Sequence, residues 1–209
     1  MLSFSDCRRR GEDVMSKVHS IGVALLISAL APMLQGASQL DEPTYGDNVY
    51  VNCAWRMAAI FPRAPMTRDT TLTVARRTAP ARQFYVEQGQ DLFSVTVANF
   101  ADGPTVDNNL VAAATIPLRQ RGEVRFEGMG DYDPGIPGRQ LNIFLANGQQ
   151  LRASVYMADH RVYITEAVAT PGDFAALQFE QSVSLINAQG TDLDKNVGQP
   201  SRQYHCTNG

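Results

Sequence analysis

Apolar and polar residues alternate along most of the chain from residue 49 to residue 168, which is the pattern of half-buried β-strands. Turn sequences separate the alternating runs, and Asn147-Gly148 between two of them is a strong hairpin signal. Gly89-Gln90-Asp91 and Asp159-His160 mark two further turns. The pattern therefore predicts strands at residues 49–60, 70–75, 82–88, 92–100, 122–128, 139–146, 150–157 and 161–168.

Two segments have helical spacing instead. Residues 108–116 fit a short helix with Asp107 as its N-cap, and Pro117 is expected to end or kink it. Residues 174–185 predict an amphipathic helix, and the side chains expected to face the sheet are Phe174, Leu177, Val183 and Leu185. Together the elements predict an α+β fold in which an antiparallel β-sheet is flanked by helices.

The segment before the first strand has the pattern of a secretion signal. Lys17 precedes an apolar run at residues 21–31, and small residues follow at 36–38. The run is shorter than the roughly 20 apolar residues of a membrane-spanning helix, so no membrane span is expected after the signal is removed. We therefore interpret residues 15–38 as a signal peptide and residues 1–14 as a mis-called start or a disordered extension.

The exported part is expected to begin near Gln39, in the periplasm or outside the cell. Of the 209 residues, about 170 then remain, which suits one domain with a hydrophobic core. Residues 39–48 are interpreted as an N-terminal arm, 49–186 as the domain, and 187–209 as an irregular tail held only at Cys206.

Removing the signal takes away four of 18 basic residues and three of 21 acidic residues, which leaves a net charge of −4. This weakly acidic balance gives no electrostatic footprint for nucleic acid.

The cysteine count also depends on export. Cys7 lies in the removed segment, so the exported part keeps Cys53 and Cys206. An even number of cysteines in an exported protein implies a disulfide, here between the first strand and the tail, and two unpaired thiols are the alternative. No metal site is expected, because only His160 and His205 remain and no CxxC or HxxxH spacing occurs.

The order of elements, together with several short motifs, resembles a known family. The features that carry the resemblance are Phe61-Pro62 at a strand end, LFSVTV at 92–97, a helix, a meander with GRQ at 138–140, NG at 147–148, RASVY at 152–156 and RVY at 161–163, and FEQSV at 179–183 on the closing helix. Over residues 49–185 this order resembles the PsbP/Mog-like family, including its small exported bacterial members. Arg63 stands where the family commonly has a glycine, and Val183 stands where it has a second phenylalanine.

The resemblance implies an antiparallel sheet between helical layers, an α/β/α sandwich. Members of the family include extrinsic photosystem subunits and a nuclear-transport cofactor, and many bacterial members have no known function. The resemblance therefore implies a non-enzymatic role without identifying it, because a fold does not determine a function.

Asp131 and Asp133 lie at alternate positions of a predicted loop, like the start of a calcium-binding loop. A hard cation needs six or more oxygen ligands, usually including a bidentate glutamate. Pro134 and the lack of further acids nearby favour a solvated turn instead. Cation binding by the two aspartates is therefore kept as an alternative.

Arg119, Arg121 and Arg125 cluster at the end of the first predicted helix and in the strand that follows. They are candidates for contact with an anion or a partner, because guanidinium groups match carboxylates and phosphates. Alternatively, they bind helix C-terminal carbonyls and local acids such as Glu123.

Trp55 is a candidate for stacking on a ligand, and His160 is a candidate for general-base catalysis. Trp55 shares a predicted strand face with Cys53 and Met57, which favours a core tryptophan near the disulfide. His160 follows Asp159 in a turn where adjacent side chains point apart, and no nucleophile motif such as GxSxG occurs. The sequence therefore favours structural roles for both.

We expect from these features an exported, non-catalytic domain that binds an unidentified protein partner at the cell envelope, without a cofactor. A small-ligand or ion-binding module that uses an uncovered face of the sheet is the first alternative. A hydrolase is the second, although no nucleophile and base are recognisable. An exposed apolar patch would favour a protein partner, and a deep pocket with converging polar groups would favour a small ligand.

Overall fold

A computed structural model of the chain describes residues 49–195 and 200–206. The predicted extension 1–14, signal peptide 15–38 and arm 39–48 lie outside the described residues. The strands of the described part are β1 (Val49–Asn52), β2 (Met57–Ile60), β3 (Met66–Val74), β4 (Arg77–Gln88), β5 (Asp91–Asn99), β6 (Gly122–Met129), β7 (Gly138–Leu145), β8 (Gln150–Ala158), β9 (Arg161–Ala169) and β10 (Ser184–Leu185). Its helices are α1 (Asn108–Ala114), α2 (Ile116–Arg119) and α3 (Phe174–Ser182).

Seven strands form one antiparallel sheet in the order β3-β4-β5-β9-β8-β7-β6, which we call the large sheet. The meanders β3–β5 and β6–β9 meet where β5 pairs with β9, from Leu92↔Val168 to Asn99↔Arg161. The predicted antiparallel sheet is thus confirmed, and it is the dominant element of the described residues.

The hairpin turns adopt left-handed backbone conformations. Asp159 and His160 have φ values of 47° and 63° at the predicted β8–β9 turn, and Gly148 has a φ of 85° at the β7–β8 turn. Ala75 and Arg76 connect β3 to β4 with φ values of 49° and 66°, although neither is a usual residue for that region. The β3–β4 turn is therefore held by the pairing of its strands rather than by its own sequence.

Two hydrophobic cores lie on the two faces of the large sheet. The first core lies beneath α1 and α2, and its members include Leu110, Val111, Leu118, Leu141, Ile143, Leu151, Val155 and Ile164. The second core lies beneath α3 and the strands β2 and β10, and its members include Met57, Phe84, Phe93, Val95, Tyr163, Phe179 and Leu185. Both faces are buried because the strands in the middle of the large sheet carry apolar side chains on both sides.

The predicted strand at residues 49–60 is wrong, since these residues form the hairpin β1–β2. The side-chain Oδ1 of Asn52 accepts a hydrogen bond from the Trp55 N–H at 3.0 Å, and Arg56 takes a positive φ of 59°, which reverses the chain. β10 pairs with the other edge of β2, so the three strands form a small sheet in the order β1-β2-β10.

The first predicted helix is interrupted at Thr115, so that α1 is followed by the short helix α2. The predicted N-cap is confirmed, because the Asp107 carboxylate accepts hydrogen bonds from the N–H groups of Asn109 and Leu110. Pro117 lies in the first turn of α2, where its missing N–H is tolerated.

The last predicted helix is shorter than expected and buries different residues. α3 ends at Ser182, whose hydroxyl accepts a hydrogen bond from the Ile60 N–H at 2.9 Å and so fixes the helix end against β2. Phe174 is 72% exposed instead of facing the sheet. Val183 is extended and Leu185 belongs to β10, because the chain leaves the helix to pair with β2.

The C-terminal residues are held by more than Cys206, which corrects the predicted tail. Isolated bridges pair Ile186 with Asp192 and Thr191 with Gln203. Tyr204 packs in a third cluster on the outer face of the small sheet, with Val51, Ala58 and Ile186. The described C-terminal residues thus form a cover over the small sheet.

Helices cover the large sheet only in part. α1 and α2 lie on one face, and α3 shares the other face with the small sheet. The fold of the described residues is therefore α+β and dominated by sheet, and it is not a clear α/β/α sandwich.

Candidate functional site

Each arginine of the predicted cluster is paired with a carboxylate. The ion pairs are Arg119 with Glu127, Arg121 with Glu166, and Arg125 with Glu123. Arg125 also lies over the ring of Phe144, 5.3 Å from its centroid. This geometry matches the alternative of local acids: the first pair joins α2 to β6, the second joins the turn after α2 to β9, and the third lies within β6. Anion or partner contact by these residues stays a prediction.

The two carboxylates of the predicted cation loop accept hydrogen bonds from the backbone. Asp131 Oδ1 accepts one from the Gly138 N–H at 3.3 Å, and Asp133 Oδ1 accepts one from the Lys195 N–H at 3.2 Å. They therefore connect the loop to β7 and to the C-terminal residues. Among residues 49–195 and 200–206, no group of three or more His, Cys, Asp or Glu side chains is placed to hold a metal ion.

His160 fixes a loop rather than facing a nucleophile. Its ring Nδ1 lies 2.8 Å from the Gly103 carbonyl oxygen, which can only accept, so this nitrogen carries the proton. The His160 backbone N–H donates to the Thr105 carbonyl at 3.0 Å. Both bonds hold the loop after β5 against the β8–β9 turn.

Trp55 lies in the β1–β2 turn, so it does not share a strand face with Cys53 and Met57 as predicted. Its half-buried ring packs at the margin of the second core, 6.5 Å from the Phe84 ring centroid. The Arg82 guanidinium lies over the indole at 5.4 Å and also pairs with Asp69 at 2.7 Å. Because Arg82 covers one face of the indole ring, that face is not open to a stacking ligand. Trp55 therefore closes the edge of the second core.

The predicted disulfide is confirmed. Cys53 and Cys206 are bonded, with their Cα atoms 5.6 Å apart across a sequence separation of 153 residues. The bond joins the β1–β2 turn to the C-terminal residues that cover the small sheet.

A buried polar cluster at Tyr132 was not predicted from the sequence. The Tyr132 hydroxyl donates to Asp192 Oδ1 at 2.5 Å and accepts from the Leu185 N–H at 3.2 Å. Burial raises the pKa of the Tyr132 phenol well above its ordinary value, and the hydrogen bond to Asp192 and its charge raise the pKa further. The phenol therefore remains a donor to the carboxylate at neutral pH. These partners are distant in sequence, so no local motif marks the cluster.

An open cleft of about 450 Å³ lies between the β1–β2 hairpin, the loop that follows β2, and α3. Tyr50 and Phe61 line it with aromatic rings whose centroids are 6.0 Å apart. Ala175 and Gln178 contribute from α3, and Arg63 lies at the rim. Its lining is polar and apolar in similar measure, so it suits a small molecule that carries both kinds of group. No local motif marks this cleft, since its walls come from separate elements.

The large sheet ends in an edge strand on each side, and the two edges differ. The register of β6 shifts between Val124 and Phe126, so Arg125 forms a bulge that interrupts this edge. β3 instead pairs with β4 without interruption over nine residues. Seven of the nine are exposed, and only Leu72 and Val74 are not. Among the described residues, the β3 edge is therefore the more regular of the two edges that lack a strand partner.

No helix in the part of the chain that the structure describes is long and apolar enough to cross a membrane.

Comparison with known proteins finds a structural likeness only. No protein-family model matches the chain, and no curated protein matches it. The solution structure of cyanobacterial PsbP (CyanoP) from Synechocystis sp. PCC 6803 is similar, with a TM-score of 0.45 and 13% sequence identity over 66% of this chain and 91% of that one. This neighbour bears the name of the family that the sequence motifs resemble. At this identity the likeness concerns the fold and carries no information about function.

Proposed function

We propose that the chain is an exported, non-catalytic domain that binds a protein partner at the cell envelope. The observation that carries this proposal is the β3 edge, which is nine residues long, continuous and mostly exposed. An edge strand presents a row of unpaired N–H and C=O groups that another polypeptide can pair with. Protein binding is therefore the activity that this surface supports best.

Two features support export. The basic, apolar and small-residue pattern of residues 15–38 is that of a signal peptide. The Cys53–Cys206 disulfide fits an oxidising compartment, because structural disulfides persist outside the cytoplasm. Mass spectrometry of the protein from its host should find an N-terminus near Gln39 in the periplasmic or secreted fraction. An intact Met1 in the cytoplasm would contradict export.

The non-catalytic role is supported by the contacts of the candidate groups. Asp131, Asp133 and His160 each hold backbone groups of the fold. A screen with esterase, phosphatase, glycosidase and peptidase substrates should detect no turnover. Turnover that is lost in His160→Ala or Asp131→Ala would show that the domain is an enzyme.

A photo-crosslinking amino acid placed at Thr71, near the middle of β3, tests partner binding in living cells. We expect a discrete protein adduct from this position and none from Gln181, an exposed control position on α3. The purified partner should then bind the purified chain saturably. Absence of any protein adduct along β3 and elsewhere on the surface would refute the proposal.

The cleft favours a second candidate function, the binding of a small molecule with apolar and polar groups. Tyr50 and Phe61 supply aromatic contacts, and Arg63 could hold an anionic end group at the rim. Native mass spectrometry of the chain from its host should then show a bound small molecule, and Ala175→Phe should remove it by filling the cleft. Loss of this molecule without loss of β3 crosslinks would separate the two functions.

A further inference from the structure

We propose that β3 takes up an extended acidic segment of the partner protein as an eighth strand of the large sheet. The inference rests on the proposed function and adds the conformation and the charge of the segment that is bound. Three observations carry it: the regularity of the β3 edge, the arginines along that edge, and the charge distribution of the chain.

The backbone of β3 is prepared for pairing on its open side. Its register runs unbroken from Met66↔Tyr85 to Val74↔Arg77. In an antiparallel ladder only every second residue of an edge strand bonds its neighbour, so the remaining N–H and C=O groups point outward. The strand contains no proline and no bulge, which are the usual devices that block edge pairing. β6 has such a bulge, so we assign the docking edge to β3.

Three exposed arginines follow this edge. Arg63 lies just before β3, Arg68 lies within it, and Arg76 lies in the turn after it. Arg63 donates to the Glu87 backbone carbonyl. Arg68 donates to the Gln83 side-chain oxygen, and its guanidinium lies over the Tyr85 ring, 4.9 Å from the centroid. Within the described residues, none of the three forms an ion pair with a carboxylate. The seven ion pairs of the same residues use other cations, and one of them joins Arg82 to Asp69, the one carboxylate of β3. The three arginines are therefore not neutralised by an acid of the described residues.

Positive charge is concentrated in residues 49–88, which include β3, and negative charge is concentrated in residues 89–206. Residues 49–88 contain six arginines and two acids, a net charge of +4, whereas residues 89–206 contain eight basic and 13 acidic residues, a net charge of −5. An acidic segment is therefore attracted to the part that contains β3 and repelled by the rest. A second copy of the chain is disfavoured as the occupant, because antiparallel pairing of β3 with itself would bring the two sets of arginines together.

The spacing of the arginines defines the segment. Nine residues in a strand span about 30 Å, the length of β3. Arg68 is the third residue of β3, and Arg63 and Arg76 lie just beyond the two ends of the strand. Acidic residues at both ends of such a segment, and a third one two residues inside one end, would come close to these arginines. We therefore expect a segment of about nine residues with β-forming side chains and three separated carboxylates.

Peptide binding to the full chain tests this inference. A library of nine-residue peptides carries glutamate at positions 1 and 9 and at either position 3 or position 7, with varied Thr, Val, Ile and Tyr between them. A matched library carries lysine at the same positions. We expect binders from the glutamate library alone, and bound peptides should slow amide hydrogen exchange in β3 but not in β6. No glutamate binder, or protection confined to another element, overturns the inference.

Two changes separate strand pairing from charge attraction. Methylating the amides of a bound peptide on one edge should weaken binding at least tenfold, because it removes donors from the ladder without changing charge. The triple variant Arg63→Gln, Arg68→Gln, Arg76→Asn should weaken binding about tenfold at low ionic strength, since exposed ion pairs each contribute a few-fold at most. Asparagine is chosen at 76 because it tolerates the left-handed backbone there.

Arg125→Gln is the matched control, since this arginine lies on the opposite edge strand and is ion-paired. It should leave peptide binding unchanged. Peptide binding that is insensitive to amide methylation, or stronger binding of a single-stranded oligonucleotide that competes at the same arginines, overturns strand addition by an acidic protein segment.

The outcomes also separate this inference from the proposed function. Crosslinks to a protein partner from positions outside β3 would retain the proposed function and overturn the inference. Acidic peptide binding at β3 together with no protein adduct in cells would contradict the proposed function.

Discussion

Phe174 and Phe179 lie on the same helix but in opposite surroundings. Phe179 is 1% exposed, and its ring centroid lies 5.0 Å from that of Phe61 and 5.6 Å from that of Phe93. Phe174 is 72% exposed, although an amphipathic reading of the sequence places it toward the sheet. The two residues therefore form a matched pair for testing which face of α3 is buried.

We expect Phe179→Ala to lower the free energy of unfolding by about 3–5 kcal/mol, because it removes a ring from the second core and leaves a cavity. Phe174→Ala should change it by less than about 0.5 kcal/mol, as surface substitutions usually do. Urea denaturation followed by fluorescence measures both. Equal losses would mean that α3 is rotated from the orientation described.

The surroundings of Tyr132 predict that the stability of the protein depends on pH. Burial and Asp192 raise the pKa of its phenol in the folded protein, whereas the unfolded chain has the ordinary value of about 10. Above pH 10 the unfolded chain therefore binds fewer protons than the folded one, and stability falls as pH rises.

Because of this difference, the free energy of unfolding should fall more steeply above pH 10 in the natural chain than in Tyr132→Phe. The difference in slope should approach about 1.4 kcal/mol per pH unit. Denaturation at a series of pH values between 8 and 11 measures it. Tyr132→Phe is expected to be less stable at neutral pH as well, since Asp192 loses a donor, so the slope and not the absolute stability is the readout. Identical slopes would contradict a buried phenol.

At the scale of elements, the β3–β4 turn keeps unfavourable residues in a left-handed conformation. Ala75 and Arg76 both have positive φ, at a cost of about 1 kcal/mol each relative to residues that adopt this region readily. Pairing over the full length of β3 offsets this cost.

Replacing Ala75 by Asn and Arg76 by Gly should raise the free energy of unfolding by about 1 kcal/mol, because Asn-Gly is the preferred pair for such a turn. The comparison is Asp159→Asn with His160→Gly at the β8–β9 turn. That change should raise the free energy of unfolding by less, since it also removes the hydrogen bond between the His160 ring and Gly103. Thermal or urea unfolding measures both, and no gain at the β3–β4 turn would argue against its left-handed geometry.

The sequence predicts elements well where local signals agree, and poorly where tertiary contacts decide. The meander from β7 to β9 is predicted because alternation and the Asn147-Gly148 turn indicate the same hairpins. The β1–β2 hairpin is missed because its turn uses Trp55 and Arg56 instead of glycine, and only the Asn52 side chain marks it. β10 is missed because two residues carry no periodic signal and become a strand only by pairing with β2.

The features of the candidate site also divide into those that local sequence signals predict and those that depend on tertiary contacts. The disulfide is predictable from the count of cysteines, because chemistry and compartment restrict their pairing. The Tyr132–Asp192 bond joins residues 60 positions apart and depends on the completed fold. The unpaired edge of β3 also cannot be read locally, since it depends on which strands occupy the ends of the large sheet.

At the scale of the whole molecule, the disulfide connects the first hairpin to the last described residues. It closes a loop of 153 residues, which restricts the unfolded chain strongly. The folded chain already holds this end through Tyr204 on the small sheet. The bond therefore acts mainly through the unfolded state.

The double variant Cys53→Ser, Cys206→Ser should lose about 4–5 kcal/mol of unfolding free energy by the loop-closure relation. A reducing agent should lower the free energy of unfolding of the natural chain to that of the variant, and it should leave the stability of the variant unchanged. Denaturation with and without reductant measures this. A variant as stable as the natural chain, together with no effect of the reductant on either, would contradict a stabilising bond between Cys53 and Cys206.

The central position of β2 sets the order in which this chain can finish folding. β2 pairs with β1 on one edge and with β10, more than 120 residues later, on the other. Its residues are buried from both sides, by the second core and by Tyr204 with its neighbours. A polypeptide that emerges N-terminus first therefore carries β2 with one edge and one apolar face uncovered until residues 184–204 have followed. Completion of the small sheet is tied to the emergence of β10 and Tyr204, and shortening the chain before β10 removes the strand and the cover that β2 requires.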